Sequence, residues 1–540
     1  MGVDLVDITA KRAALTPHVI AFEDALTGRT LTYAQIDDRA SRAAALLADR
    51  GVKRGDRVAI LCRNRIEFFE IMFACAKLGA ILVPLNWRAP AAELAPILDD
   101  CTPALLVFGA EDAETARALN YDGLALDPPP FTGEVRTPAK AGGGEGETPS
   151  NAGAAPPQSA SLNAPPQAGE HYEYLLSTAT PLRTETRWNG DDTWFLCYTS
   201  GTTGKPKAVI QTYQMSAVNA FHVTQAFGLR AGDRTLNFLP LFHTAGIQLV
   251  TMPTLIAGGT VTVMPGFDEE RAFALMPTLD VFFAVPAVYQ QLALHPDFDR
   301  ADFSRIRTWG CGGAPLPDVL VERYAAKGVR VCNGYGMTET GPTAFIAAPE
   351  DALTKIGSVG KPQMLLDVRI VDGLGRDVAE GETGEIWMRG AGLTPGYWNR
   401  PEETAKAFTA DGWLRSGDVG RRDGDGCYYV AGRIKDMYIS GGENVYPAEI
   451  ENLLARHPAV LEAAIVGVPD EKWGEVGHAF VQLRPEAPSV SAAELIQFCR
   501  ARLAGYKTPR HVTFVADFPR TAAGKIKKHE LAPPAPSPSR

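Results

Sequence analysis

The stretch RVAILCRNRIEFFEIMFACAKLGAILVPL (57–85) sets the fold class. RVAILC (57–62) reads as a buried strand. IEFFEIMFACAKLG (66–79) carries apolar residues at helical spacing and stops on Gly79, and AILVPL (80–85) is the next strand. ALLVFGA (104–110) repeats the pattern. Strands that alternate with amphipathic helices predict an α/β architecture of layered, largely parallel sheets. The alternation resumes downstream in TVTVMP, VFFAV and VRVCNGYG. In the last hundred or so residues, EVGHAFVQL and HVTFVADF alternate with AEIENLLARH and SAAELIQFCRARLAG, which predicts a small α+β unit. Between the two lies VAGRIKDMYISGGENVYP, rich in Gly and charge, read as a hinge.

Composition narrows the function. The chain has 540 residues and a net charge of −10, with 45% apolar and 21% charged residues. That is the balance of a multi-domain globular protein, with no net attraction to nucleic acid or anionic lipid. The eight cysteines are spread so that no C-x-x-C pair exists, as expected of reduced thiols in the cytoplasm. No signal peptide is visible at the N-terminus, and MGVDLV lacks the Ser or Thr of a myristoylation signal. The uncharged run Thr244–Phe267 reaches membrane-spanning length but holds Pro253, Gly258, Gly259 and five threonines. It is expected to be a buried helix followed by a strand. Residues 128–169 hold nine Pro and seven Gly and only Phe131, Val135 and Leu162 as sizeable apolar groups. This segment is expected to be a disordered surface insert without a role in turnover, and the tail 532–540 is expected to be similar.

The strongest chemical signal is Tyr198-Thr-Ser-Gly-Thr-Thr-Gly-Lys-Pro-Lys207. Hydroxyl residues interleaved with Gly201 and Gly204 let backbone N–H and side-chain O–H groups face an anion, and Lys205 and Lys207 add positive charge. Its expected use is a phosphate cradle. It is not a Walker loop, because two residues separate the glycines and Pro206 follows Lys205.

The string resembles the phosphate loop of the adenylate-forming, AMP-binding superfamily, which contains acyl-CoA synthetases. Further matching motifs stand in the family's order: Leu239–Gly246, Gly312–Pro315, Asn333–Thr340, Gly384–Ile386, Gly396–Asn399, Trp413–Asp418, Gly432–Asp436 and Pro519–Lys525. The resemblance covers about residues 10–531 apart from the insert. Ser440–Pro447 and Val468–Glu475 look most like bacterial fatty-acid–CoA ligases. It implies a large N-terminal adenylation domain (1–432) and a small mobile C-terminal domain (433–531).

The resemblance also implies roles. Thr199, Ser200, Gly201, Thr202, Thr203, Gly204 and Lys205 form the phosphate loop. Glu339 and Thr202 are the Mg²⁺ ligands, with Thr338 beside Glu339. Tyr335 stacks on adenine, which Gly313, Ala314, Pro315, Asn333, Gly334 and Gly336 surround. Asp418 accepts from the ribose hydroxyls with Arg433 assisting. His243 lies by the acyl carbonyl, and Lys525 bridges substrate carboxylate and α-phosphate. Lys435 is the hinge about which the small domain turns between two half-reactions, and Gly442 then lines the pantetheine tunnel.

These residues fit one chemistry. A carboxylate is a poor electrophile, and transfer of AMP makes a mixed anhydride with a good leaving group. Bringing two anions together needs cations and oriented donors. The expected activity is an ATP-dependent carboxylic acid–CoA ligase, with ATP, Mg²⁺ and CoA as co-substrates and no prosthetic group. A medium- or long-chain fatty acid is the first expectation. The alternatives are an aryl or hydroxycinnamic acid, or a fatty-acyl-AMP ligase that loads a carrier protein. Phe242-His243 stands where amino-acid-activating relatives usually carry Asp, which speaks against amino acids. The candidate acyl-pocket residues Phe283, Val285, Gly310, Cys311, Gly334 and Met337 offer no charge to pair a second carboxylate. Nucleic acid and an integral membrane segment are not expected; the oligomeric state is monomer or homodimer.

Overall fold

A computed structural model describes residues 4–121, 123–127, 171–182, 187–200, 206–485, 487–521 and 525–531. The expected insert and C-terminal tail lie outside these residues. The chain separates into two compact units. One comprises Met1–Asp37, Arg63–Ile66 and Glu185–Arg540, and the other Asp38–Cys62 and Glu67–Thr184.

In the smaller unit, strands Ile81–Pro84, Arg57–Leu61, Leu105–Phe108 and Gly123–Ala125 lie side by side in that order, all parallel. Their side chains are almost all buried, as in a parallel sheet covered on both faces. Helix Ile66–Leu78 is buried nearly all round, which explains its lack of a polar stripe. It carries Glu67, Glu70 and Lys77 into the core. Glu70 is fully buried and accepts from Arg39 Nε at 2.6 Å and from the Tyr172 hydroxyl at 2.7 Å. Burial pushes the Glu70 carboxyl up, and Arg39 pulls it back. An ion held this way stays because removing one partner strands the other.

The larger unit is built on a nine-stranded sheet. Its order is Lys361–Pro362, Phe345–Ile346, Val331–Tyr335, Thr308–Cys311, Val281–Ala284, Arg234–Asn237, Thr260–Val263, Ile20–Asp24 and Thr30–Thr32. The six strands from Val331–Tyr335 to Ile20–Asp24 are parallel, and antiparallel strands flank them on both sides. The expectation of layered, largely parallel sheets holds. The uncharged run Thr244–Phe267 folds as expected, with the wide helical turns Ala245–Thr251, helix Met252–Ala257 and strand Thr260–Val263. Among the described residues no helix is long and apolar enough to cross a membrane.

Two further sheets belong to this unit. Leu366–Val371, Gly384–Gly390, Leu414–Arg422 and Tyr428–Arg433 form an antiparallel meander. The C-terminal sheet runs Glu443–Val445, Tyr438–Ser440, Gly474–Leu483, Val460–Asp470, with His511–Phe514 parallel to Gly474–Leu483. Helices Pro447–Ala455 and Ala492–Arg500 cover it, and Tyr438, Ile450, Leu454, Ile465, Val481 and Leu495 fill its own core. This is the small α+β unit expected from the sequence.

Candidate active site

Strands Thr193–Ser200 and Pro206–Thr212 pair antiparallel, with Pro206 opposite Ser200. The five residues between them, Gly201, Thr202, Thr203, Gly204 and Lys205, lie outside the described residues. The hairpin therefore fixes both ends of the expected phosphate loop. Thr199 donates its hydroxyl to Lys207 O at 3.3 Å across the ladder.

Behind this hairpin, the buried Cys197 thiol donates to Phe242 O at 3.4 Å. The same thiol is pushed up to about 12 by burial, and the Glu339 charge adds to the shift. Cys197 thus sits where three expected site segments meet: the loop strand, the His243 turn and Glu339. His243 is half-buried, its ring 4.6 Å from that of Phe242. The chain then enters the wide turns Ala245–Thr251, where Gly246 O accepts from Thr251 Oγ1 at 3.0 Å and from Asn237 Nδ2 at 2.8 Å. Such widened turns are frequent at functional sites.

Strand Val331–Tyr335 leads into the turn that carries Gly336, Met337, Thr338 and Glu339. Only glycine fits at 336, because a Cβ there would stand 1.5 Å from Pro342 O. The Gln211 amide donates to Thr338 O at 2.9 Å, which ties the turn to the loop hairpin. Glu339 is 7% exposed, and its carboxylate accepts from the Tyr397 hydroxyl at 2.8 Å. Asn333 donates to Ser358 O at 3.3 Å, while its buried Oδ1 has no partner among the described residues. Gly313, Ala314 and Pro315 form the loop after strand Thr308–Cys311.

The expected nucleoside end is more completely assembled. Asp418 lies on strand Leu414–Arg422 directly across from Arg433 on strand Tyr428–Arg433. Arg433 Nε stands 3.3 Å from Asp418 Oδ1, and the Tyr335 hydroxyl donates to Asp418 Oδ2 at 2.5 Å. Burial raises the Asp418 pKa above its ordinary 3.8; Tyr335, Arg433 and Lys525 oppose the rise. Tyr335 is itself pushed well up, first by burial and then by the Asp418 charge. Lys525 comes from the C-terminal unit, where Thr521 N donates to Lys525 O at 2.7 Å and Lys525 N donates to Thr521 Oγ1 at 3.1 Å. Withdrawal of its ammonium from solvent lowers its pKa. Arg433 adds to the drop and Asp418 resists it. The residue as a whole stays exposed, so its charge acts on Asp418 and Arg433 while it remains open to water. The ion pair of Arg456 with Asp318 also joins the C-terminal unit to the helix Asp318–Ala325.

Thus Tyr335, Asp418 and Arg433 come into contact, and the Lys525 charge acts on them from nearby. Lys435 and Gly442 are exposed, and a Cβ on Gly442 would meet nothing within 4 Å. What glycine supplies here is its backbone, at φ +88.

The acyl-pocket candidates divide by strand alternation. Gly310 and Gly312 lie on one face, where Cβ atoms would press on Phe283 at 2.6 and 3.2 Å, and on Phe227 at 2.7 Å from Gly310. Cys311 points to the opposite face, fully buried beside Tyr289 and Tyr324. It cannot line the same surface as Gly310, because successive strand residues face opposite ways. Phe227, from helix Tyr213–Phe227, takes its place.

A family model described as "AMP-binding enzyme" matches residues 9–398, and one described as "AMP-binding enzyme C-terminal domain" matches residues 449–525. The chain belongs to the AMP-binding enzyme family. It is similar to a feruloyl-CoA synthase of Amycolatopsis sp, with 39% identity over 523 residues, 96% of this chain and 97% of that one. It is also similar to the long-chain-fatty-acid–CoA ligase FadD13 of Mycobacterium tuberculosis, with 36% identity over 525 residues and 96% of each chain. Among solved structures, the o-succinylbenzoate CoA synthetase of Bacillus subtilis in complex with its acyl-adenylate intermediate superposes with a TM-score of 0.83. Its identity is 30%, over 98% of this chain and 99% of that chain. The fold is that of an adenylate-forming enzyme, and its class is that of the acid–thiol ligases.

Sequence reading missed several residues of this AMP-binding enzyme's site. Cys197, Gln211, Phe227 and Tyr397 all reach it through side-chain contacts. Only Tyr397 had a signal, since it lies within the motif Gly396–Asn399. The others are ordinary strand and helix residues whose neighbours are set by packing.

Proposed function

We propose that this AMP-binding enzyme joins a carboxylic acid to CoA in two steps. First, an oxygen of the acid's carboxylate attacks the α-phosphorus of ATP, and diphosphate leaves. The CoA thiol then attacks the acyl carbonyl, its proton goes to solvent or a base, and AMP leaves. The observation that carries this reading is the convergence of Lys525 and Arg433 on Asp418 and Tyr335. In this reading Lys525 is the cation, and Asp418 the ribose-binding carboxylate, at the place where two anions must meet.

In this reading Tyr335 presents its ring to adenine, the unpartnered Asn333 Oδ1 accepts from its amino group, and Gly313, Ala314, Pro315, Gly334 and Gly336 surround it. Asp418 takes the ribose hydroxyls. Thr199, Ser200, Gly201, Thr202, Thr203, Gly204 and Lys205 cradle the phosphates, with Thr338 beside them. His243 orients the acyl carbonyl. Glu339 and Thr202 would hold Mg²⁺. Glu339 fits as a buried hard-oxygen donor, and no cluster of three or more His, Cys, Asp or Glu ligands occurs among the described residues. That suits a cation held by few protein oxygens and completed by substrate phosphates. When bound, Mg²⁺ would neutralise phosphate charge. Lys435 is the hinge of a small domain, about 433–531, that swings Lys525 out and Gly442 in for thioester formation.

The acid is read first as a medium- or long-chain fatty acid, in line with the similarity to FadD13. An aryl acid is the second reading. A feruloyl-CoA synthase is among the relatives. The test is ATP-dependent diphosphate release over acids from acetate to oleate, benzoate, ferulate and amino acids, with and without CoA. Release with one class, accelerated by CoA and yielding its acyl-CoA by mass, is expected. Release without CoA stimulation or acyl-CoA would favour loading of a carrier protein instead.

A further inference from the structure

Tyr397 lies far along the chain from both the phosphate loop and Glu339, yet the fold knits it between them. Strand Pro206–Thr212 and the segment 394–398 hold each other by backbone bonds: Ile210 N to Gly396 O at 3.1 Å, and Trp398 N to Ala208 O at 2.9 Å. Thr394 strengthens the seam, its hydroxyl donating to Ile210 O at 2.7 Å. The Thr394 N–H donates to the backbone carbonyl of Glu339 at 2.8 Å. Tyr397 itself is fixed by its N–H to Thr404 Oγ1 at 3.0 Å.

Its side chain meets two charged groups. The hydroxyl donates to Glu339 Oε1 at 2.8 Å, and the Lys207 ammonium lies 3.7 Å from the ring centroid. Tyr397 and Glu339 are both at least nine-tenths buried. A carboxylate has about four acceptor sites, so one donated bond turns it without filling it. The ring fixes the Lys207 ammonium by cation–π attraction at the C-terminal end of the phosphate loop. One side chain therefore orients an anion and a cation at once.

We propose that Tyr397 is a positioning residue that aims the Glu339 carboxylate at the metal of the ATP complex. The proposal rests on the reading of Glu339 as a metal ligand. Groups behind metal ligands typically change metal affinity 10–100-fold when removed.

The test is a thermodynamic cycle with α,β-methylene-ATP, which cannot transfer AMP. Its affinity is measured with and without Mn²⁺ for wild type, Y397F and E339Q, alongside each melting temperature. Y397F keeps the ring for Lys207 and loses only the donor. We expect it to bind the metal-free analogue as wild type does, to keep its melting temperature, and to lose about tenfold of the affinity gained with Mn²⁺. It should also slow adenylation while leaving thioester formation from supplied acyl-AMP unchanged. A Mn²⁺-dependent gain in Y397F within twofold of wild type would overturn the proposal, provided E339Q loses that gain. If E339Q also keeps it, the reading of Glu339 as metal ligand falls, and this proposal with it. Should Y397F fail to fold, E339D takes its place, keeping the carboxylate but withdrawing it by one methylene from the Tyr397 hydroxyl. A Mn²⁺-dependent gain within twofold of wild type would then overturn the proposal.

Discussion

The Tyr335 hydroxyl donates to Asp418 Oδ2 at 2.5 Å, across 83 residues of chain, and Arg433 flanks the other oxygen of that carboxylate. Two residues proposed for different parts of one nucleoside are thus a single unit. Tyr335→Phe keeps the aromatic face and removes the donor. A hydrogen bond to a charged group is worth roughly 1.5–3 kcal/mol, so the KM for ATP should rise about tenfold with little change in kcat. Steady-state kinetics with varied ATP would show it, and an unchanged KM would detach Tyr335 from ribose recognition.

The buried Asp418 carboxyl also predicts a pH effect on stability. Its folded pKa lies above the unfolded value, so protons are held more tightly in the folded state, and stability falls as pH rises through that interval. Above it, the ionised carboxylate costs stability that Asp418→Asn does not. The variant should melt higher than wild type at pH 7, lose that advantage below the ordinary aspartate value of 3.8, and bind ATP weakly. Melting curves at several pH values check the sign.

His222 gives the opposite slope. It is 3% exposed, its pKa is lowered to about 4 by burial, and its Nε2 accepts from Leu365 N at 3.2 Å. The unfolded state binds the proton first, so stability is lost as pH falls from 6.5 toward 4. The ceiling is about 3 kcal/mol, at 1.36 kcal/mol per pKa unit. His222→Gln keeps an acceptor without the titration. It should flatten the fall in melting temperature across that interval.

Lys525→Ala should lower the rate of acyl-adenylate formation by about 10²–10³, in the range seen when one positioned electrostatic group is removed. Thioester formation from supplied acyl-AMP should survive. Equal loss in both half-reactions would sink the two-orientation assignment.

Gly442→Leu should do the reverse. Its backbone stands at φ +88, and a Cβ there meets nothing in the present arrangement, so adenylation should hold within about threefold. Thioester formation should fall more than tenfold if Gly442 enters the pantetheine passage. An unimpaired second step would exclude that position from the passage.

What the sequence determined by itself was whatever depends on local order along the chain. The alternation in residues 57–110 predicts parallel strands and helices, and Arg57–Leu61, Ile66–Leu78, Ile81–Pro84 and Leu105–Phe108 form them. Contiguous motifs were legible for the same reason, since Thr338-Glu339 and Ser416-Gly-Asp418 carry their chemistry within a few residues. Tertiary structure alone decided which of these groups meet. Register sets Arg433 opposite Asp418, strand alternation turns Cys311 away from the face of Gly310, and the seam between 206–212 and 394–398 brings Tyr397 to Glu339. Such pairings join residues tens to hundreds of positions apart, and nothing local distinguishes Phe227 or Cys197 from any other apolar core residue. Their neighbours are chosen by close packing of the whole core, and packing has no signature in a single stretch of sequence.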